Sequence, residues 1–500
     1  MPHPLSRRID DVLALQAESG AVEFDRQWVS RGQLRDLAQG IGALVAAHTA
    51  ERPAQVGVLL RNRPVHVAAL LGVLMGEATV VVINPSRGDE RTRSDIAALA
   101  LPVVIGEAAD LSALVAPAPH TTLVELTGVD TAPRVTAAES AGATCGTRPG
   151  VAVRMLTSGT TGPPKRVDLG YDMLAHSVIG ADFETADAPT APRSGVAIVN
   201  SPLVHIGGVF RVLSCIAEAR PFVLLERFEL DRWADAVRRH RPRAASLVPA
   251  ALRMVLHSDL HRDDLSSLQV VTSGTAPLSA DDADAFTERF GVPVLTSYAA
   301  TEFGGGVAGW TLADHRRFWA AKRGSVGRAN PGAHLRVVGD DGTTLASGQP
   351  GVLEVRPAQL GPRAEWVRTT DLARIDADGF LWILGRADQA IIRGGFKVMP
   401  EDVRTALESH PDVAGAAVVG RPDDRLGEIP VAMVELRDRR GTDAAALTPY
   451  LSDRLARYEI PAEIAVVDSI PRTPSGKADL GAVRRFFDSP AGTTGVDDGG

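Results

Sequence analysis

Residues 155–167 read MLTSGTTGPPKRV. From Thr157 to Gly162 every residue is a glycine or carries a hydroxyl, and Lys165 follows two prolines. The preceding segment, VAVRML (151–156), has the β-branched, apolar character of a strand. Glycines and hydroxyls after a strand let backbone N–H and side-chain O–H groups converge on an anion. Lys165 would add a mobile positive charge. The spacing is not G-x-x-x-x-G-K-[ST], so this is not the Walker A loop of ordinary ATPases and GTPases. By composition alone, a flexible surface loop fits equally well.

The bulk properties narrow the choice. A chain of 500 residues is long enough for two to four folding units at about 150 residues each. Apolar residues make up 45% and charged residues 23%, a globular balance. A net charge of -8 argues against a general nucleic-acid binder, which needs a basic face. Cys145 and Cys215 are far apart and in no metal-ligand spacing, so a reducing, cytoplasmic setting is expected. The N-terminus lacks the apolar core of a signal peptide. The longest apolar run (67–83) is broken by Gly76 and Glu77 and reads as a buried helix, a turn and a buried strand rather than a membrane span.

Short apolar segments, VAIVN (196–200), PFVLLE (221–226), AASLV (244–248), LQVVT (268–272) and VPVLT (292–296), have the look of fully buried strands. Helical patterns lie between them, including LDRWADAVRRHR and a helix capped by Ser279 with Asp281 and Asp282 in its first turn. Such alternation implies α/β layers with parallel sheet. From about Gly324 glycine and proline punctuate short strands, and a small β-rich subdomain is expected. After Gly385 a compact α+β unit follows: helix PEDVRTALESH, strands VAGAAVVG and IPVAMVEL, a helix over 444–457 and strand EIAVVD. The fold class is therefore α/β: a large N-terminal domain of layered sheets with a β-rich subdomain, then a smaller mobile α+β domain. The expected boundaries are 1–387 and 388–488, with a disordered tail over 489–500.

Further polar or glycine-rich stretches follow predicted strands: SPLVHIGGVF (201–210), TSGTAPLS (272–279) and SYAATEFGG (297–305). Then come TTDLARID (369–376), GRADQAIIRGGFKV (385–398) and PRTPSGKADL (471–480). Open α/β sheets bind ligands at the carboxyl ends of their strands. In this order the stretches resemble the adenylate-forming superfamily: acyl-CoA synthetases, luciferases and peptide-synthetase adenylation domains. The resemblance runs from about Val56 to Lys477.

The resemblance implies a role for each motif. Thr157, Ser158, Gly159, Thr160, Thr161, Gly162 and Lys165 would hold the β,γ-phosphates of ATP. Glu302 would hold Mg²⁺, and Thr301 would contact the α-phosphate. Tyr298 would stack on adenine, opposite a wall of Gly274, Thr275, Ala276 and Pro277. Asp371 would accept hydrogen bonds from the ribose hydroxyls. Arg386 would meet the ribose or a phosphate, and Asp388 would be the hinge. Lys477 would reach the carboxylate and the α-phosphate from the small domain. Gly394 and Gly395 would pass close to the pantetheine arm of CoA. His205 is either a satisfied core histidine or a gate and carboxylate contact of the acyl pocket.

Two residues depart from the family pattern: Arg166 and Ala299 stand where glycine is usual. Val204, His205 and Ile206 offer no carboxylate to an α-ammonium, whose burial would then be costly. The substrate expected is a fatty, alicyclic or aromatic carboxylic acid, with ATP and CoA as co-substrates and Mg²⁺ as cofactor. The implied enzyme is an AMP-forming acid–thiol ligase, with no nucleic-acid partner, no membrane span and a homodimer allowed. Transfer to a carrier-protein phosphopantetheine or an amine is the alternative, and an inactive nucleotide-binding scaffold a remote one.

Overall fold

The computed structural model describes residues 2–49, 53–116, 121–137, 147–157, 165–393, 396–423, 425–437, 443–473 and 476–488. Its largest sheet has seven strands in the order Arg134–Ala137, Thr122–Leu126, Val103–Glu107, Gln55–Leu59, Thr79–Ile83, Val151–Thr157 and Lys165–Gly170. The five inner strands are mutually parallel and the two edges antiparallel. Gln55–Leu59 and Thr79–Ile83 are buried at every position, as strands covered on both faces must be.

The apolar run resolves as its sequence suggests. Helix Pro64–Met75 is buried from Pro64 to Leu74, Glu77 turns the chain at a φ of 54°, and strand Thr79–Ile83 follows. This helix crosses helix Arg31–His48 at Gly72, where an added Cβ would lie 2.3 Å from the Ala38 carbonyl oxygen. The close approach of two backbones therefore requires glycine at this crossing.

A second sheet orders Ala197–Val199, Phe222–Leu224, Gly20–Phe24 and Gln27–Ser30. A third runs through Ala244–Ser246, Val270–Ser273, Val294–Ala300, Gly305–Gly309 and Arg328–Ala329, parallel over its first three strands and antiparallel afterwards. Ser279 caps helix Ala280–Phe290 by accepting from the Asp282 N–H at 3.0 Å. The β-rich subdomain is a four-stranded antiparallel sheet, His334–Val338, Gly351–Arg356, Val367–Ile375 and Leu381–Arg386.

The smaller C-terminal domain has its own sheet, with Gly427–Leu436 between Val413–Asp423 and Glu463–Val467, and the short Ile391–Arg393 and Phe396–Val398 alongside. Separate apolar clusters fill its two faces, under helices Pro400–Glu408 and Ala444–Ser452 on one side and Leu480–Asp488 on the other. The helix expected over 444–457 ends at Ser452. Arg454 lies over the Tyr450 ring and donates to the Tyr450 carbonyl at 3.0 Å, satisfying an acceptor at the shortened end. No helix among the described residues is long and apolar enough to cross a membrane. The tail expectation lies outside the described residues.

The helix crossing makes one expectation. Gly72→Ala should destabilise the protein by about 1–3 kcal/mol, because the methyl meets backbone that cannot rotate away. Urea unfolding checks this, and an unchanged midpoint would contradict the packing.

Candidate active site

The strands flanking the opening loop run antiparallel, with Thr157 opposite Lys165 and Leu156 opposite Arg166. Ser158, Gly159, Thr160, Thr161 and Gly162 lie outside the described residues. The stem of the loop is described, and it accounts for Arg166. This guanidinium, with 8% of its side chain exposed, pairs with Asp95 of helix Asp89–Leu99 at 2.5 Å. It also donates to the Val82 carbonyl at 3.2 Å. Burial lowers its pKa first, and Asp95 opposes that shift. Arg166 thus ties the return strand to the neighbouring helix and strand. Nothing in the sequence singles out Asp95 from Asp89 in the same polar helix. Ala299, the other departure, is exposed in an extended strand opposite Gly306, so its methyl meets no obstacle.

Several chain segments meet downstream of the parallel strands. Ser273 pairs with Thr296 across parallel strands, which brings 274–277 beside the strand carrying Tyr298. A Cβ on Gly274 would approach the Ser297 Oγ to 3.0 Å. Thr275 adopts a φ of 71°, which costs energy for a β-branched residue and marks a constrained turn. Thr301 and Glu302 form a short 3₁₀ turn, closed by Gly304 at a φ of 69°. Glu302 is exposed. The Ser177 hydroxyl fastens this turn to helix Tyr171–Val178 through the Gly304 carbonyl at 2.9 Å.

Asp371 stands opposite Arg386 in the β-rich sheet. The Tyr298 hydroxyl donates to its carboxylate, and burial first, then Asp371, raises the phenol's pKa. The Asp371 backbone N–H donates to the Thr369 hydroxyl at 3.0 Å. Arg386 grips Asp388 with two contacts of 2.9 and 2.7 Å and reaches Thr370 at 2.5 Å. It therefore engages the aspartate assigned to the hinge while lying beside the one assigned to the ribose.

Lys477 is contributed by the small domain. Its loop is closed by the Thr473 N–H to Lys477 carbonyl bond at 2.7 Å and turned by Gly476 at a φ of 81°. A Cβ on Gly476 would lie 3.6 Å from Val248 of the large domain. The Lys477 ammonium interacts electrostatically with Arg386, Asp371 and Glu302. The crowding protein lowers its pKa most, Arg386 lowers it further, and the two carboxylates raise it. Lys477 as a whole residue is nonetheless exposed.

His205 precedes helix Ile206–Ala217. Its Nε2 is buried with no hydrogen-bond partner among the described residues. Burial, then the charge of Lys477, lowers its pKa to about 4, so the imidazole is neutral at pH 7. Gly208, in the first turn, has its Cα close against the chain before it: a Cβ would lie 2.1 Å from the Pro202 carbonyl oxygen. The structure thus brings together Tyr298, Asp371, Arg386, Glu302, His205 and Lys477, with the 274–277 turn alongside. Gly394 and Gly395 lie outside the described residues.

The sequence pattern described as AMP-binding enzyme matches residues 10–362, and that of the AMP-binding enzyme C-terminal domain matches 402–477. The chain belongs to the AMP-binding enzyme family. Among curated relatives, it is 34% identical to an indoleacetate–CoA ligase of Aromatoleum aromaticum over 349 residues, 66% of each chain. It is 30% identical to 4-coumarate–CoA ligase-like 5 of Oryza sativa subsp. japonica, over 89% of this chain and 82% of that one. Its fold matches ATP-bound MatB from Rhodopseudomonas palustris with a TM-score of 0.80 at 22% identity, over 98% and 99% of the two chains. It also matches the amide bond synthetase McbA of Marinactinospora thermotolerans, at 26% identity and a TM-score of 0.78, over 97% and 100%.

Two outcomes test this geometry. Arg166→Gly leaves Asp95 without its partner. It should lower stability by about 1–3 kcal/mol and weaken ATP binding by loosening the loop stem. Unchanged unfolding and unchanged ATP affinity would contradict the anchoring role. The second concerns pH. The folded pKa of His205 lies near 4, below the unfolded value of about 6.5. Its neutral form therefore favours folding fully above the unfolded value, and this contribution is lost as pH falls toward 4. His205→Asn should flatten the decline of folding stability across that window, measured by urea unfolding at several pH values.

Proposed function

We propose that the protein activates a carboxylic acid with ATP, forming acyl-AMP and pyrophosphate, and then transfers the acyl group to CoA with release of AMP. The observation that carries this reading is the packing of the Lys477 loop on the large domain, with Gly476 beside Val248, which brings the lysine's charge within electrostatic reach of Asp371, Glu302 and His205. A cation there can attract the incoming carboxylate and stabilise the negative charge that shifts onto the α-phosphate oxygens as the carboxylate attacks and pyrophosphate leaves. Asp371, oriented by Tyr298 and Thr369, would accept from the ribose hydroxyls. The 274–277 turn and Tyr298 would enclose the adenine. Residues 157–162 and Lys165 would hold the β,γ-phosphates, placing the α-phosphorus between them and Lys477.

Glu302 suits a Mg²⁺ ion. No cluster of three metal-ligating side chains exists among the described residues, and a magnesium site of one carboxylate with substrate phosphates needs none. The ion would shield the phosphate charges. The small domain would then turn about Asp388 and bring the 394–395 glycines to the pantetheine arm. The few cysteines favour a reducing, cytoplasmic setting.

The acid is taken to be aromatic. The relatives named for indoleacetate, coumarate and ferulate support this, as does the lack of a carboxylate at 204–206 to meet an α-amine. Fatty and alicyclic acids remain in the panel to be tested. An amine acceptor is the second reading, supported by the likeness to the amide bond synthetase.

Incubation with ATP and a panel of aromatic and aliphatic acids should release AMP and pyrophosphate only when a suitable acid is present. Production of ADP, or no acid-dependent pyrophosphate at all, would overturn the reading. Lys477→Ala should abolish acid-dependent ATP–pyrophosphate exchange by at least about 100-fold while sparing thioester formation from supplied acyl-AMP. Equal loss of both half-reactions would remove Lys477 from the role assigned to it.

A further inference from the structure

Away from the cleft, a second set of charges joins the two domains. Arg253, on helix Pro249–Leu256 of the large domain, bonds Asp282 at 2.7 Å, in the first turn of helix Ala280–Phe290. Its other guanidinium nitrogen bonds Glu408 at 3.0 Å, the last residue of helix Pro400–Glu408 in the small domain. Glu408 is held from its own side by Arg404, which also forks onto Glu401 at 2.5 and 2.9 Å. The second Glu408 oxygen accepts from the Ala416 N–H at 3.2 Å. Side-chain exposure is 13% for Arg253, 12% for Asp282 and 7% for Glu408. Beside this set Arg437 of the small domain contacts the His257 imidazole of the large one. Among the described residues, Arg253–Glu408 is the ion pair that joins the domains outside the 386–388 connection.

The charges alternate: Asp282, Arg253, Glu408, Arg404, Glu401. If the Arg253–Glu408 bond is cut, Arg253 keeps Asp282, and Glu408 keeps Arg404 and the Ala416 N–H. A buried pair is costly to break when it strands a charge. This one strands none, since each half stays compensated within its own domain. Such an arrangement suits a contact that is made and released repeatedly. The helix bearing Glu408 also packs at its other end on the strand leading to Arg386. There Gly385, at a φ of 129°, admits Met399, whose Cε would lie 2.9 Å from an added Cβ.

We infer that Arg253 and Glu408 form a releasable latch that positions the small domain with Lys477 in the cleft. They are positioning residues for the first half-reaction, and the latch opens for the second. The inference rests on the two-step reading above.

The test uses the full chain carrying Glu408→Gln. It compares acid-dependent ATP–pyrophosphate exchange with thioester formation from supplied acyl-AMP and CoA. It also measures tryptic cleavage of the 386–393 connection without substrates. The expected result is exchange reduced about 5- to 50-fold, thioester formation unchanged or faster, and cleavage accelerated about threefold or more. Arg253→Lys, which keeps the charge but lacks the fork that bridges two carboxylates, should fall between wild type and Glu408→Gln. It also serves should Glu408→Gln fold poorly. Equal loss in both half-reactions, or no change in either, overturns the latch. If the wild type shows neither half-reaction, the two-step reading fails. The cleavage rates then decide the latch alone, and equal rates in wild type and variant overturn it.

Discussion

An ammonium group from one folding unit must meet a cleft built by another, and much of the molecule serves that meeting. Lys477 comes from the small domain, whereas Tyr298, Thr301 and Glu302 lie in or just after a strand of the large one. The Lys477 backbone carbonyl accepts from the Thr473 N–H, and the Gly476 N–H donates to the Thr473 carbonyl. Arg386 opposes its approach, and Asp371 and Glu302 favour it. The opposing charges acting on Lys477 thus partly cancel across the boundary between the two domains.

The large domain supplies rigidity where phosphate chemistry needs it. Five mutually parallel strands form the sheet, two of them buried at every position, and one of the five, Val151–Thr157, leads into the opening loop. Arg166 adds a side-chain tether to that stem, across to Asp95 and Val82. A glycine at this position would leave the stem to backbone packing alone. Here a buried ion pair takes over, which explains how a bulky, charged residue is accommodated next to Lys165.

Sequence reading reached far along the large domain because its signals are local. The strands at 197–199 and 222–224 are short apolar runs, and Ser279 caps its helix with its own side chain. The motifs that make the cleft are likewise contiguous. Where several residues must combine, the sequence was silent. Asp95, Ser177, Thr370 and the Arg253–Glu408 pair lie in ordinary helices or strands, and their partners are up to 155 residues away. The end of the helix at Ser452 was also missed, since it depends on how Arg454 folds back over Tyr450.

Taken alone, MLTSGTTGPPKRV determined a strand, a glycine- and hydroxyl-rich stretch and a lysine, because strand propensity and composition are properties of neighbouring residues. With the later motifs it also determined the family. Only the tertiary structure decided that the loop's stem is an antiparallel edge pinned by Arg166, that His205 is neutral and lacks a hydrogen-bond partner at its Nε2 among the described residues, and that Lys477 feels the charges of Asp371 and Glu302. The physical reason is that burial and charge at these positions come from residues distant in the chain. Desolvation and Coulomb interaction act through space, and no local pattern records them.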